Sequence, residues 1–136
     1  AWLASLCSGL AGAAGAANVS AADQAAIRAV ISRQVEAFRQ DDAAQAFGLA
    51  APTIQAKFGT AENFLAMVRT LYPAVYRPRT FEYRELIDLD GVPAQTVLVV
   101  GPDGRPKLAV YPMEQLATGD WRVGGCYLVE PPGTDT

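Results

Sequence analysis

The sequence contains no histidine among its 136 residues, only two cysteines, and 11 basic against 14 acidic side chains. Without histidine the chain itself cannot build a Ser/His/Asp or Cys/His catalytic system, and it cannot bind zinc through imidazole. The net charge of -3 and the lack of a long basic run exclude the electrostatic pattern of a nucleic-acid-binding protein. We therefore predict no nucleic-acid partner, no metal site and no cofactor.

The first 22 residues contain no charged side chain, because all 25 charged residues lie at or after Asp23. Residues Trp2 to Leu10 resemble the apolar region of a secretory signal, and Ala14-Gly15-Ala16 provides the small residues that signal peptidase accepts. The apolar run is shorter than the roughly 20 residues that span a bilayer, so we predict no permanent membrane anchor. Residues 1–17 are interpreted as a signal peptide truncated at its start, with a flexible or helical Ala-rich tail as the alternative. The mature protein is then expected to be periplasmic or secreted.

The two cysteines are divided between the predicted signal and the mature domain. Cys7 lies inside the signal, so after cleavage only Cys126 remains and no internal disulfide can form. The residues around Cys126 are apolar, and a reactive thiolate requires nearby positive charge and access to solvent. We interpret Cys126 as a buried core thiol.

Hydrophobic periodicity predicts three helices in the first part of the domain. Ser20, with an acidic residue three positions later, is a capping pattern, and Thr60 is a second N-cap. Pro52 is expected to stop the second helix, and Pro73 is expected to end the last one. The predicted helices cover residues 20–40, 42–49 and 60–73, with a single turn over 53–57.

After Pro73 the periodicity changes to that of strands. The expected strands are residues 81–89, 96–100, 107–116 and 121–129. Gly124-Gly125 in the last strand permits a bulge or a sharp bend. The pattern predicts an α+β fold with helices packed on one face of a four-strand antiparallel sheet. It forms one domain over residues 18–130, followed by a flexible tail over 131–136.

Several segments carry a resemblance to a known family. They are Ile31–Phe38, Asp41–Ala44, Ile54–Gly59, Tyr72–Arg79 and Trp121–Cys126. These segments resemble the bacterial domain of unknown function (DUF) 4864 family, in the nuclear transport factor 2-like (SnoaL-like) superfamily. The resemblance implies a cone, in which three N-terminal helices pack on a curved four-strand antiparallel sheet around an internal pocket, often with dimerisation through the sheet. The family carries no established catalytic residues, so none is transferred to this chain.

Glu85 interrupts the apolar face of the first predicted strand, and by alternation it would point inward with Tyr83 and Ile87. An inward carboxylate with a raised pKa would be a general base, which indicates a small isomerase-like or cyclase-like enzyme with a tyrosine hydroxyl as oxyanion donor. The alternative is that a bulge turns Glu85 outward, or that Glu85 pairs with an arginine. No second carboxylate stands at a matching spacing to support the catalytic interpretation.

Residues 69–84 carry a local charge of +3, which leaves -6 for the rest of the chain. Arg77 and Arg79 alternate with tyrosines there, and Pro73 and Pro78 predict a rigid loop that leads into the first strand. We predict that this segment forms a cationic rim of the pocket, because arginine and tyrosine suit an anionic or aromatic ligand, or that it anchors a protein partner. The alternative is a solvated surface paired with aspartates of neighbouring strands.

We predict a non-catalytic module that binds a small apolar or anionic ligand or interacts with another protein. A homodimer through the sheet is also expected, because residues Val97–Val100 are apolar on both faces. A structural subunit whose pocket is filled by its own side chains is a further alternative. The predicted ligand-binding residues are Phe64, Tyr76, Arg77, Arg79, Tyr83, Tyr111, Trp121 and Tyr127.

Overall fold

A computed structural model describes residues 19–132, in which five helices precede five strands. The helices are α1 (Ala21–Arg39), α2 (Ala43–Gly48), α3 (Pro52–Phe58), α4 (Ala61–Leu71) and α5 (Pro73–Tyr76). The strands are β1 (Thr80–Leu89), β2 (Val92–Val100), β3 (Pro106–Gln115), β4 (Trp121–Val123) and β5 (Tyr127–Val129). The α+β class is confirmed. The predicted signal peptide and the last four residues of the predicted tail lie outside the described residues.

Helix α1 begins as its cap predicts, because the Ser20 hydroxyl accepts a hydrogen bond from the backbone N–H of Asp23 at 3.0 Å. One face of the helix is buried, and apolar residues occupy most of it at helical spacing. Its buried residues are Ile27, Val30, Ile31, Gln34, Val35, Ala37 and Phe38. The apolar face of α1 therefore supplies the main helical contribution to the core.

The count of three helices was wrong, because the segment from Pro52 to Tyr76 forms three helices by itself. Pro52 begins α3, which replaces the predicted single turn, and Pro73 ends α4 but also begins α5, which replaces part of the predicted loop. Proline suits the first position of a helix, because its fixed φ is already helical and that position needs no N–H donor. Both prolines therefore start a helix, and Pro73 does so directly after the C-cap of α4. No helix within residues 19–132 is long and apolar enough to span a bilayer.

The sheet is an antiparallel meander of β1, β2 and β3, with β4 and β5 both paired to the far edge of β3. The predicted last strand is divided at Gly124-Gly125, which confirms the expected bend and changes four strands into five. The Gly124 N–H donates to the Pro112 carbonyl at 2.8 Å, and a Cβ on Gly124 would lie 3.1 Å from that oxygen. A side chain at position 124 would therefore be crowded against the Pro112 carbonyl, and glycine suits the close approach of β3 to the bend.

Two groups of buried side chains form the core. The first lies between α1 and the face of the sheet that carries Val97, Val99 and Tyr111, which we call the inner face. The second joins the end of α1 to α2, α4 and α5, with Phe38 and Phe64 among its members. Cys126 and Leu128 pack against both groups. The bend between β4 and β5 therefore lies where the two parts of the core meet.

Candidate ligand cavity

A cavity of about 510 Å³ is bordered by α3 and α4 on one side and by the bend between β4 and β5 on the other. Its apolar lining includes Phe38, Ile54, Phe58, Phe64, Met67 and Val68. No aspartate or glutamate of the described residues lines it. Both its size and its apolar lining are typical of sites that bind small organic molecules.

Tyr111 and Cys126 provide two polar groups on the buried side of this cavity. Tyr111 is 1% exposed, and its hydroxyl forms no hydrogen bond of normal geometry with any described residue. Burial raises the pKa of Tyr111 well above its usual value, and the neighbouring Cys126 adds to this shift. The hydroxyl therefore keeps its proton and is a hydrogen-bond donor without a protein acceptor.

The Cys126 thiol is enclosed although the residue as a whole is half-buried. Burial raises its pKa to about 12, and the adjacent Tyr111 hydroxyl lowers it by a smaller amount. A protonated thiol is a poor nucleophile and a poor metal ligand. Within residues 19–132 no group of three metal-ligating side chains is brought together either.

Three of the eight predicted ligand-binding residues, namely Phe64, Tyr111 and Tyr127, border the cavity. Phe64 is buried, whereas Tyr127 is 57% exposed and pairs with Val110 across the strands. The structure therefore brings together an aromatic wall, a buried hydroxyl and a surface tyrosine. The other five predicted residues lie outside the cavity lining.

Tyr76 and Arg77 join α5 to the end of α1. The Tyr76 hydroxyl donates to the Asp41 carboxylate, and the Arg77 guanidinium pairs with the same carboxylate at 3.3 Å. Arg77 also donates to the Phe38 carbonyl near the C-terminus of α1, and its guanidinium lies 4.1 Å from the centre of the Tyr76 ring. Cations are favourable at a helix C-terminus, so this arrangement stabilises the junction.

Tyr83 and Trp121, which lie on strands of the sheet, form hydrogen bonds with α1. The Tyr83 hydroxyl donates to the Arg28 carbonyl at 2.8 Å and is hydrogen-bonded to Ser32. The Trp121 indole N–H donates to the Asp23 carboxylate at 3.2 Å. All three partners lie on α1, so the two aromatic residues connect this helix to the sheet.

Arg79 lies directly before β1, and its backbone N–H donates to the Val100 carbonyl at 2.7 Å. Its guanidinium is near Gly104 in the turn between β2 and β3. The predicted cationic rim is therefore divided between this turn and the end of α1, and neither part borders the cavity.

Glu85 lies in a bulge, because the pairing register of β1 with β2 shifts between Tyr83 and Leu86. The side chain is exposed, and its backbone carbonyl accepts a hydrogen bond from the Thr96 hydroxyl at 2.6 Å. Strand β1 thus follows the interpretation in which a bulge turns Glu85 outward. A general base at this position would have no contact with the cavity.

Sequence reasoning missed Lys57 and Phe58, which both line the cavity from α3. The Lys57 Nζ lies 5.5 Å from the centre of the Phe58 ring, and this ring meets Phe64 edge-on at 5.7 Å. The spacing of Ile54 and Phe58, four residues apart, was the available signal for a helix with an apolar face.

Replacement of Asp41 by asparagine is expected to destabilise the protein near neutral pH and to have less effect in acid. The Tyr76 hydroxyl is the main cause of a lowered Asp41 pKa, partly opposed by burial and helped by Arg77. Because its pKa is lowered in the folded state, the ionised Asp41 carboxylate stabilises the fold at pH values above 3.8, the usual pKa of this group. This contribution is lost as the pH falls through the lower folded-state pKa. Urea unfolding of both proteins at pH 7 and pH 2.5 measures it.

Asparagine is a suitable replacement because Asp41 has a φ of 54°, a conformation that asparagine also tolerates. The Tyr76→Phe variant, which retains the carboxylate but removes its strongest partner, should show a smaller loss with the same pH trend. Equal differences between wild type and Asp41→Asn at both pH values would contradict a role for the carboxylate charge.

Comparison with known proteins places most of the chain in one family. A family model described as a domain of unknown function (DUF4864) matches residues 20–136. No curated protein matches significantly, and neither does any solved structure. Because the family model covers every described element from α1 to β5, the chain belongs to the DUF4864 family.

Proposed function

We propose that this domain binds a small, mainly apolar molecule in the cavity between α3, α4 and the bend between β4 and β5. The observation that supports the proposal most directly is the combination of a volume of about 510 Å³ with a mainly apolar lining that includes Phe38, Phe58 and Phe64. Apolar groups that enter such a cavity are removed from water, which favours binding by roughly 25 cal/mol per Å² of buried apolar surface. The proposal includes export of the domain and membership of the nuclear transport factor 2-like superfamily.

A binding role agrees better with the chemistry of the cavity than the enzymatic alternative does. The candidate base Glu85 is outside the lining, and the Cys126 thiol has a pKa of about 12. The Tyr111 hydroxyl retains its proton, so it can donate to a bound oxygen or nitrogen atom but cannot act as a base near neutral pH. These groups can orient a ligand without reacting with it.

The homodimer through the sheet remains a prediction, and the surface that it would use is the face opposite to the inner face. By alternation along the strands this outer face carries Leu98, Leu108, Val110, Tyr127 and Val129. Tyr127 is 57% and Val129 is 44% exposed. Exposed apolar side chains on one sheet face support association with a second copy.

Binding of N-phenyl-1-naphthylamine, a neutral apolar fluorescent dye, tests the proposed function. We expect saturable binding at one site per chain, and we expect Met67→Trp to weaken it by about tenfold or more, because a larger side chain occupies the cavity that half-buried Met67 borders. The titration measures dye fluorescence at fixed protein concentration.

The matched control is Ala66→Trp, which adds the same side chain at an exposed position of α4 outside the cavity lining. This variant should bind the dye like the wild type. Failure of the wild type to bind the dye saturably would favour the filled-core alternative over the proposed ligand site. Equal weakening by both variants would place the dye elsewhere.

A further inference from the structure

Lys57 is the one charged residue among the described residues that line the cavity. The chain as a whole has more acidic than basic side chains, so a border with one cation and no carboxylate differs from the average of its surface. Lys57 is exposed, whereas Tyr111 on the other side of the lining is 1% exposed. The positive charge therefore lies at the outer border of the cavity, and the apolar lining extends inward from it.

The Lys57 ammonium is held beside the aromatic wall. Its Nζ lies 5.5 Å from the Phe58 ring centre, close enough for a cation–π interaction, and the Phe58 ring packs edge-on against Phe64. No carboxylate within residues 19–132 forms a salt bridge with Lys57. The charge is therefore available to a ligand whose apolar part lies against the same rings.

We infer that the cavity takes an amphipathic carboxylate, with its apolar body against the aromatic lining and its anionic group paired with Lys57 at the outer border. This inference rests on the proposed function and adds the chemical class of the ligand. The opposite orientation would place a carboxylate on the buried side, where the lining offers only the neutral Tyr111 and Cys126 groups. An unpaired charge there would lose its hydration without an opposite charge to replace it.

The test compares decanoate with 1-decanol, which has the same chain and a neutral head group. Each displaces N-phenyl-1-naphthylamine from the wild type, from Lys57→Gln and from Arg33→Gln. We expect Lys57→Gln to weaken decanoate binding by about fivefold, the upper range for a solvent-exposed ion pair, and to change 1-decanol binding by less than twofold. Raising the salt concentration should reduce the preference of the wild type for decanoate.

Arg33→Gln is the matched control, because Arg33 is an exposed cation of α1 that does not line the cavity. It removes the same net charge and should leave the binding of both compounds unchanged. Lys57→Arg, which retains the charge, should restore most of the affinity for decanoate.

The outcomes separate this inference from the proposed function. If the dye binds but decanoate does not displace it, or if Lys57→Gln weakens both compounds equally, the ligand class is wrong while the cavity still binds apolar molecules. Equal loss of decanoate affinity in Arg33→Gln would also overturn the inference, because the effect would then reflect net charge. If the wild type binds neither the dye nor either compound, the proposed function itself fails.

Discussion

The Cys126 thiol is expected to react with thiol reagents about a thousandfold more slowly in the folded protein than in the unfolded chain near pH 8. The nucleophile is the thiolate, and burial raises the pKa of this thiol from 9.0 to about 12. A shift of that size lowers the thiolate fraction by about a factor of one thousand. Enclosure of the sulfur against Tyr111 and the apolar lining should slow the reaction further.

The measurement follows the reaction of the Cys7→Ser variant with 5,5′-dithiobis(2-nitrobenzoate), so that Cys126 is the only thiol observed. Rates are compared in buffer and in denaturing urea from pH 7 to pH 10. The denatured chain should show the pH dependence of an ordinary thiol, whereas the native rate should still be rising at pH 10. A native rate within tenfold of the denatured rate would mean that Cys126 is an accessible, ionisable thiol.

The helix caps show how far local sequence predicts this fold. Ser20 and Thr60 each accept a backbone hydrogen bond from the residue three positions later, as the sequence indicates. Pro52 and Pro73 were understood only as helix ends, although proline is equally favourable at the first helical position. The sequence indicated a helix boundary near each proline, but it did not show that a further helix begins there.

Alternation along β1 predicts the orientation of its side chains only as far as Tyr83. Residues Phe81 and Tyr83 lie on the inner face as expected, but the register shifts before Leu86 and Glu85 becomes exposed. The shift depends on the partner strand, because the Thr96 hydroxyl and the Gln95 amide of β2 bind the carbonyl groups of the bulged residues. The sequence of one strand does not show such contacts with its partner, so it does not predict the bulge.

The candidate site was predicted in part for a related reason. Phe64 and Tyr111 follow from helix and strand periodicity, and both border the cavity. The position of Arg77 depends on Asp41, a residue 36 positions earlier that occupies its guanidinium. Charge composition identified a cationic segment, but only the tertiary contact shows that this segment stabilises the end of α1.

Phe38→Ala is expected to lower the free energy of unfolding by about 3–5 kcal/mol, the range for loss of a buried aromatic side chain. Phe38 is 1% exposed, and its ring centre lies 6.0 Å from Phe64 and 6.5 Å from Tyr76. The residue belongs to the helical part of the core, so its removal takes away the α1 ring that packs against one ring of α4 and one of α5. Urea unfolding at pH 7, followed by circular dichroism, measures the loss.

Phe47→Ala is the matched control, because Phe47 contacts the same Phe64 ring at 5.6 Å but is only half-buried. Its removal should cost less than half as much, since less apolar surface returns to water. Phe38→Leu should retain most of the stability, because leucine still fills much of the volume beside α4. Similar losses for Phe38→Ala and Phe47→Ala would show that the helical part of the core is not centred on Phe38. The cavity wall would then be able to adjust to a missing ring, and the shape of the cavity would depend less on the packing of α1 than the structure indicates.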